Sequence, residues 1–143
     1  GGNVNLNIKE NFDIGFDAEL FNYNNFEVGQ NWNLPKYKTS IDLSYSIIDK
    51  ITIKSTSTLV SLRNAISEVE PDADSGVNYV EYEDAYSIEL PSYLDINLNL
   101  EYRYNSRTGI WVSINNLTGA EYHNWAGYRV QGLQALLGAS YSF

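Results

Sequence analysis

Between residues 93 and 105 the side chains change character at every step. Leu94, Ile96, Leu98, Leu100, Tyr102 and Tyr104 fall on one parity, and Asp95, Asn97, Asn99, Glu101 and Arg103 fall on the other. Successive side chains of a strand point to opposite faces, so this period of two predicts a β-strand with one greasy face and one polar face. Ile41, Leu43, Tyr45 and Ile47 repeat the pattern against Asp42, Ser44 and Ser46. Leu133, Ala135, Leu137, Ala139, Tyr141 and Phe143 repeat it at the end of the chain. Val4, Leu6 and Ile8, then Ile14, Phe16, Ala18 and Leu20, repeat it at the start. Two less regular runs complete the set: residues 51–62, rich in Ser and Thr, and residues 108–117, where Ile110, Val112 and Ile114 oppose Trp111, Ser113 and Asn115. Helical periodicity is sustained nowhere. The expectation is an all-β chain of about seven strands, all antiparallel, because no connection is long and helical enough for a parallel crossover.

The connections constrain the architecture further. Three are short, at residues 9–12, 48–50 and 105–107, and three are long, at 24–36, 64–91 and 119–132. They alternate strictly, so every tight turn lies at one end of the strands and every long loop at the other. Outer-membrane β-barrels show this asymmetry, with short periplasmic turns and longer extracellular loops. On that pattern the last strand ends on the turn side and Phe143 is periplasmic. A barrel strand shows lipid only at every second residue. The slightly polar mean hydropathy of -0.33 and the lack of any apolar run near 20 residues therefore exclude a membrane helix without excluding the membrane. Tyr102, Tyr104, Tyr141 and Phe143 gather toward the turns, and Tyr23, Trp32, Tyr37, Tyr93, Tyr122, Trp125 and Tyr128 toward the loops. Amphipathic rings prefer the headgroup region, so the two groups suggest paired aromatic girdles. An even-stranded barrel would need an eighth strand hidden in residues 64–91, or strands upstream or on another chain, because open edges leave backbone groups unpaired in hydrocarbon.

Composition removes several functions. The 143 residues carry 18 acidic against 9 basic side chains, a formal net charge of -9, which repels nucleic acid. With no Cys, disulfides, thiolate catalysis and the usual structural zinc site are unavailable. His123 is the only histidine, so a two-histidine metal site is impossible, and a Ser-His-Asp relay would have to form around one loop residue. Within Tyr122-His123-Asn124-Trp125 it fits an interfacial or loop position, with ligand contact as the functional alternative. Asp17, Glu19, Asp42, Asp95 and Glu101 alternate with greasy positions and suit a hydrated interior. None stands isolated enough from water for acid catalysis, so neither enzymatic activity nor a cofactor is expected. Glu68, Glu70, Asp72, Asp74, Glu81, Glu83 and Asp84 make the second long connection acidic. Asp72, Asp74 and Asn78 present oxygen ligands at alternate positions, as calcium uses, but the spacing departs from the helix-flanked calcium loop. A solvated surface loop is the simpler reading. Asn116-Leu117-Thr118 fits the N-glycosylation triplet, and in an outer-membrane protein the match would be accidental.

A family resemblance rests on four ordered pieces: residues 94–105 (LDINLNLEYRYN), Val112-Ser113-Ile114-Asn115-Asn116-Leu117, Tyr122-His123-Asn124-Trp125-Ala126-Gly127-Tyr128, and Gly138-Ala139-Ser140-Tyr141-Ser142-Phe143. Together they resemble the C-terminal end of TonB-dependent outer-membrane receptors, closely over the last third and more loosely from Trp32 onward. The resemblance implies that residues 1–143 are the C-terminal part of a transmembrane barrel of about 22 strands. It implies nutrient uptake across the outer membrane of a Gram-negative cell. Outer-membrane lipid, the remaining barrel strands and the barrel-assembly machinery would be its partners. Leu137, Ala139, Tyr141 and Phe143 would form the signal that this machinery recognises. The plug domain and the TonB-contacting motif of the family have no counterpart in these residues, so contact with TonB would run through a region outside them. The chain opens Gly1-Gly2-Asn3-Val4 with no leader, which suggests a removed signal or an upstream start. Two alternatives stand beside this: a barrel of the same lineage serving as a scaffold in an outer-membrane complex, and a soluble β-sandwich that binds, for example, carbohydrate.

Overall fold

The computed structural model describes residues 1–23, 32–68, 70, 78–81 and 85–143. Seven strands form one antiparallel sheet: β1 (Gly2–Lys9), β2 (Phe12–Leu20), β3 (Tyr37–Ile47), β4 (Ile51–Val60), β8 (Tyr93–Arg103), β9 (Thr108–Asn115) and β12 (Gln134–Tyr141). These are the strands that the alternation predicts. Each pairs with the next of the seven, in the order β1-β2-β3-β4-β8-β9-β12.

The register keeps the two faces separate across the whole sheet, because a slip by one residue would turn every side chain over. Leu6 pairs with Ile14, Ile14 with Leu43, Ile53 with Leu100, Leu100 with Val112, and Val112 with Leu137. Asn3, Asp17, Ser40, Thr58 and Asp95 form a polar row on the opposite face. The apolar face has no second layer against it among the described residues: Val4, Leu6, Phe16, Ile41, Leu43, Leu94, Leu100, Ile110 and Leu137 are all exposed. A sandwich would bury this face against a second sheet.

Tight turns close one end. Ile48 and Asp49 both have positive φ, 52° and 51°, as a type I′ hairpin turn requires, and the Lys50 amide donates to the Ile47 carbonyl at 3.1 Å. Asn105 Oδ1 accepts from the amides of Arg107 and Thr108, each at 2.8 Å, which is how Asn builds a turn from its own side chain. The Asn11 carbonyl accepts from the Ser46 amide at 2.9 Å, and Asn11 Nδ2 donates to the Ser46 carbonyl at 3.1 Å, tying the first turn to β3.

At the other end the long connections have structure of their own. β5 (Arg63–Ser67), β6 (Tyr79–Glu81) and β7 (Tyr86–Leu90) form a separate three-stranded sheet in the order β5-β7-β6, and β10 (His123–Trp125) pairs with β11 (Tyr128–Arg129). Strands do lie between residues 64 and 91, but among the described residues they pair with one another, so none is an eighth strand of the large sheet. Glu68, Glu70 and Glu81 are exposed, while Ala65, Ser87 and Leu90 of the small sheet are buried. Among the described residues, full burial sits at this loop end, at Val60, Ser61, Arg63, Ala65, Ser87, Leu90, Asn116 and Tyr122.

Candidate functional site

The loop end is built by side chains that tie three connections together. Ser61, 2% exposed, continues β4 by one residue; its Oγ accepts from the amides of Lys36 at 2.8 Å and Tyr37 at 3.3 Å, holding the end of the first long connection. The Asn33 amide donates to the Asn64 carbonyl at 2.6 Å, and Trp32 bridges the same residue. Arg63, only 5% exposed, then reaches from β5 to the third connection. Its guanidinium carbon lies 5.3 Å from the centroid of the Tyr93 ring, its Nη2 donates to the His123 carbonyl, and its Nη1 has no hydrogen-bond partner. A cation held over an aromatic face and out of water interacts more strongly than one at the surface.

Tyr93 and Tyr122 stack face to face, centroids 3.8 Å apart. Sequence position suggested a membrane girdle for both. Instead Tyr93, one residue before Leu94, pairs with Val60 on the polar side of the sheet, and Tyr122 is buried against it. Trp125 and Tyr128 are exposed, as a girdle or loop tip would have them. At the turn end Tyr141 and Phe143 meet edge to face at 5.3 Å, and Phe12 and Tyr45 do so at 5.9 Å. Leu137 and Ala139 lie with Tyr141 on the apolar parity of β12, opposite Val112, Ile110 and Thr108.

Asn116 organises the last connection. It has φ of 49°, a conformation Asn tolerates better than most residues, and it is 3% exposed. Its Nδ2 donates to the carbonyls of Ala120 at 2.9 Å and Gln131 at 3.2 Å, while its Oδ1 accepts from the Ala120 amide and the Thr118 hydroxyl, both at 3.1 Å. Asn97 Oδ1 accepts from its backbone amide at 3.1 Å. Both polar residues of the Asn116-Leu117-Thr118 triplet are structural pins here, a role separate from the glycosylation match. The Asn-Asn pair closing a strand just before Gly119 was the available signal.

These pins border an open polar cavity of about 280 Å³ on the polar face where β8, β9 and β12 run into the third connection; Asp95, Asn97, Asn115, Tyr122, Gln131 and Gln134 line it. Asp95 Oδ2 accepts from Asn97 Nδ2 at 2.8 Å, and the Tyr122 phenol donates to the same carboxylate. Burial, and then the negative charge of Asp95, raise the pKa of the Tyr122 phenol above its ordinary value. Ser113 donates to Asn115 Oδ1 at 3.4 Å, and Gln134 Nε2 donates to Gln131 Oε1. His123 stands beside this group with its backbone, not its ring, in use. A second, larger concavity of about 540 Å³ lies over the polar face of β1–β4 and includes Asp13, Gly15, Asp42 and Lys54. There Thr56 donates to Asp42 at 2.6 Å and Asn7 to Asp13 at 2.8 Å.

Of the calcium candidates, Asp72 and Asp74 lie outside the described residues. Asn78 uses its carbonyl to accept from the Glu89 amide at 2.9 Å.

Two solved structures superpose over nearly the whole chain. A siderophore receptor, PirA from Acinetobacter baumannii, matches with a TM-score of 0.77 and 16% identity over 99% of this chain. The ferric enterobactin receptor PfeA from Pseudomonas aeruginosa, solved as a point mutant with enterobactin, matches with a TM-score of 0.70 and 13% identity, again over 99%. The likeness is one of fold. The chain spans about a fifth of each receptor, 21% and 22%. No protein-family model and no curated protein matches the sequence.

Proposed function

We propose that this chain is part of the barrel wall of a TonB-dependent type of outer-membrane receptor and takes part in nutrient uptake, without enzymatic activity of its own. The observation that carries the reading is the bare apolar face: a seven-stranded antiparallel sheet with exposed Leu, Ile and Val on one side, broken only by Ser and Thr such as Ser55 and Ser57 of β4, and mainly Asp, Asn, Ser and Thr on the other. Water would penalise such a face at about 25 cal/mol per Å² of apolar surface, whereas lipid accepts it. Strands of 8 to 11 residues are close to the 9 to 11 or so that a tilted barrel strand needs. The superposition on two receptors supports the same reading, and so do tight turns at one end with structured long connections at the other. In this arrangement the polar face lines the lumen, the 280 Å³ cavity opens toward the extracellular loops, and Phe143 is periplasmic. Leu137, Ala139, Tyr141 and Phe143 then serve as the strand signal for the barrel-assembly machinery, and contact with TonB falls to another part of the receptor.

The chain has no cysteine of its own, which gives a direct test. Leu43→Cys, Leu98→Cys and Leu137→Cys in the outer membrane should react with a bilayer-soluble maleimide and resist a water-soluble one. Asp42→Cys and Asn99→Cys should show the reverse. Equal labelling of both sets by the water-soluble reagent, or recovery of the protein away from the outer membrane, rejects the assignment.

A further inference from the structure

The chemistry of the loop-end cavity favours one ligand class, and this step rests on the uptake reading. We propose that the cavity binds a neutral, polyhydroxylated ligand of saccharide type, and not an anionic chelate. Asn97, Asn115, Gln131 and Gln134 bring four primary amides to the lining, and each amide both donates and accepts. Hydroxyl groups do the same, so adjacent hydroxyls can meet an amide on both of its atoms. Asn97 is spent on Asp95 and on the Asn116 backbone. Asn115 Nδ2, Gln131 Nε2 and Gln134 Oε1 have no hydrogen-bond partner among the described residues. The Asp95 carboxylate is already engaged by Asn97 and by the Tyr122 phenol.

Charge decides against the other classes. Among the described residues no Lys or Arg lines the cavity, so an anionic ligand would give up its water, face Asp95 and gain no compensating cation from this chain's wall. A hard metal ion calls for several oxygen ligands, with carboxylates prominent among them, and no group of three or more His, Cys, Asp or Glu side chains suited to a metal occurs among the described residues. Asn116 and the stacked Tyr93 and Tyr122 hold the walls in place before any ligand arrives. The ordering cost of binding is reduced accordingly.

The test uses the intact receptor purified from outer membranes in detergent. It is applied to an array of neutral oligosaccharides, and its fluorescence is titrated with ferric enterobactin. At least one neutral oligosaccharide should bind, and Asn115→Ala and Gln134→Ala should each weaken that binding at least tenfold, while Thr52→Ala, on the polar face of β4 near the turns, leaves it unchanged. Asn115→Ser serves as a milder substitution if Asn115→Ala fails to fold. Binding of no oligosaccharide overturns the inference, as does ferric enterobactin binding that weakens in the Asn115 and Gln134 variants. The maleimide test above is independent of both results, so failure of the ligand class is distinguishable from failure of the receptor reading.

Discussion

Gly138 shows how much one missing side chain can decide. It sits on the polar face of β12 opposite Trp111, and a Cβ placed there would overlap the indole at Cζ2 and Cε2. The ring covers the backbone that the glycine leaves bare, a device by which an aromatic neighbour rescues glycine in a sheet. Gly138→Val should therefore destabilise the chain by about 1–3 kcal/mol, read from urea unfolding in lipid vesicles. Trp111→Ala should relieve part of that cost, so that the double variant is less destabilised than the sum of the singles. Tyr122 gives a second residue-scale outcome. Its phenol is raised first by burial and then by Asp95, so in the folded protein it should ionise above the range of ordinary tyrosines, near pH 10. Because the folded value is the higher one, the associated stability is full below the unfolded pKa and disappears as pH rises through the folded pKa. Ultraviolet titration of wild type against Tyr122→Phe should show one high-pH phenol missing from the variant.

At the scale of elements, the turn between β3 and β4 is the least comfortable piece of backbone. Ile48 is β-branched, 85% exposed and held at φ of 52°, where Asn or Gly is the natural occupant. Ile48→Asn should stabilise the hairpin by about 1 kcal/mol, seen as a higher midpoint in denaturant. Along β8, Leu98 and Asn99 are adjacent but face opposite ways. Leu98→Arg should cost about 2–4 kcal/mol if that face meets mid-membrane, and Asn99→Arg much less; equal costs would reject the face assignment. Both faces were legible in the sequence because period-2 alternation is a direct image of the pleat, and the turns were legible because they were short. The small β5-β7-β6 sheet was not, since residues such as Arg63, Asn64 and Ala65 show no alternation and acidic side chains dominate their surroundings. The pairing of Tyr93 with Tyr122 was half legible: the parity of Tyr93 already put it on the polar side, but its partner depended on how a distant connection folds back.

For the whole molecule, the decisive arrangement is the meeting of three connections around Ser61, Asn64, Arg63 and Asn116. If Arg63 joins the second connection to the third, removing its charge should loosen a segment it does not belong to. Arg63→Met keeps the bulk over Tyr93 but loses the bond to the His123 carbonyl. The Val130 amide, which donates to the Tyr122 carbonyl at 2.9 Å, should then exchange with deuterium about tenfold to a hundredfold faster, as expected when a bond of about 1.5–3 kcal/mol made by a charged group is removed. Unchanged exchange would mean that the connections are held independently. None of this convergence could be read along the chain, because it joins residues about sixty positions apart through backbone carbonyls, which carry no sequence signature.

The strand order has a kinetic consequence. Every strand of the large sheet lies beside the one that follows it, so the sheet can grow by adding one hairpin at a time onto an existing edge, without a search between distant segments. Loop-closure entropy rises only slowly with loop length, and the longest interruption, between β4 and β8, is shortened by a small sheet that folds within it. A chain built this way can add its seven strands to one sheet in order, from β1 to β12.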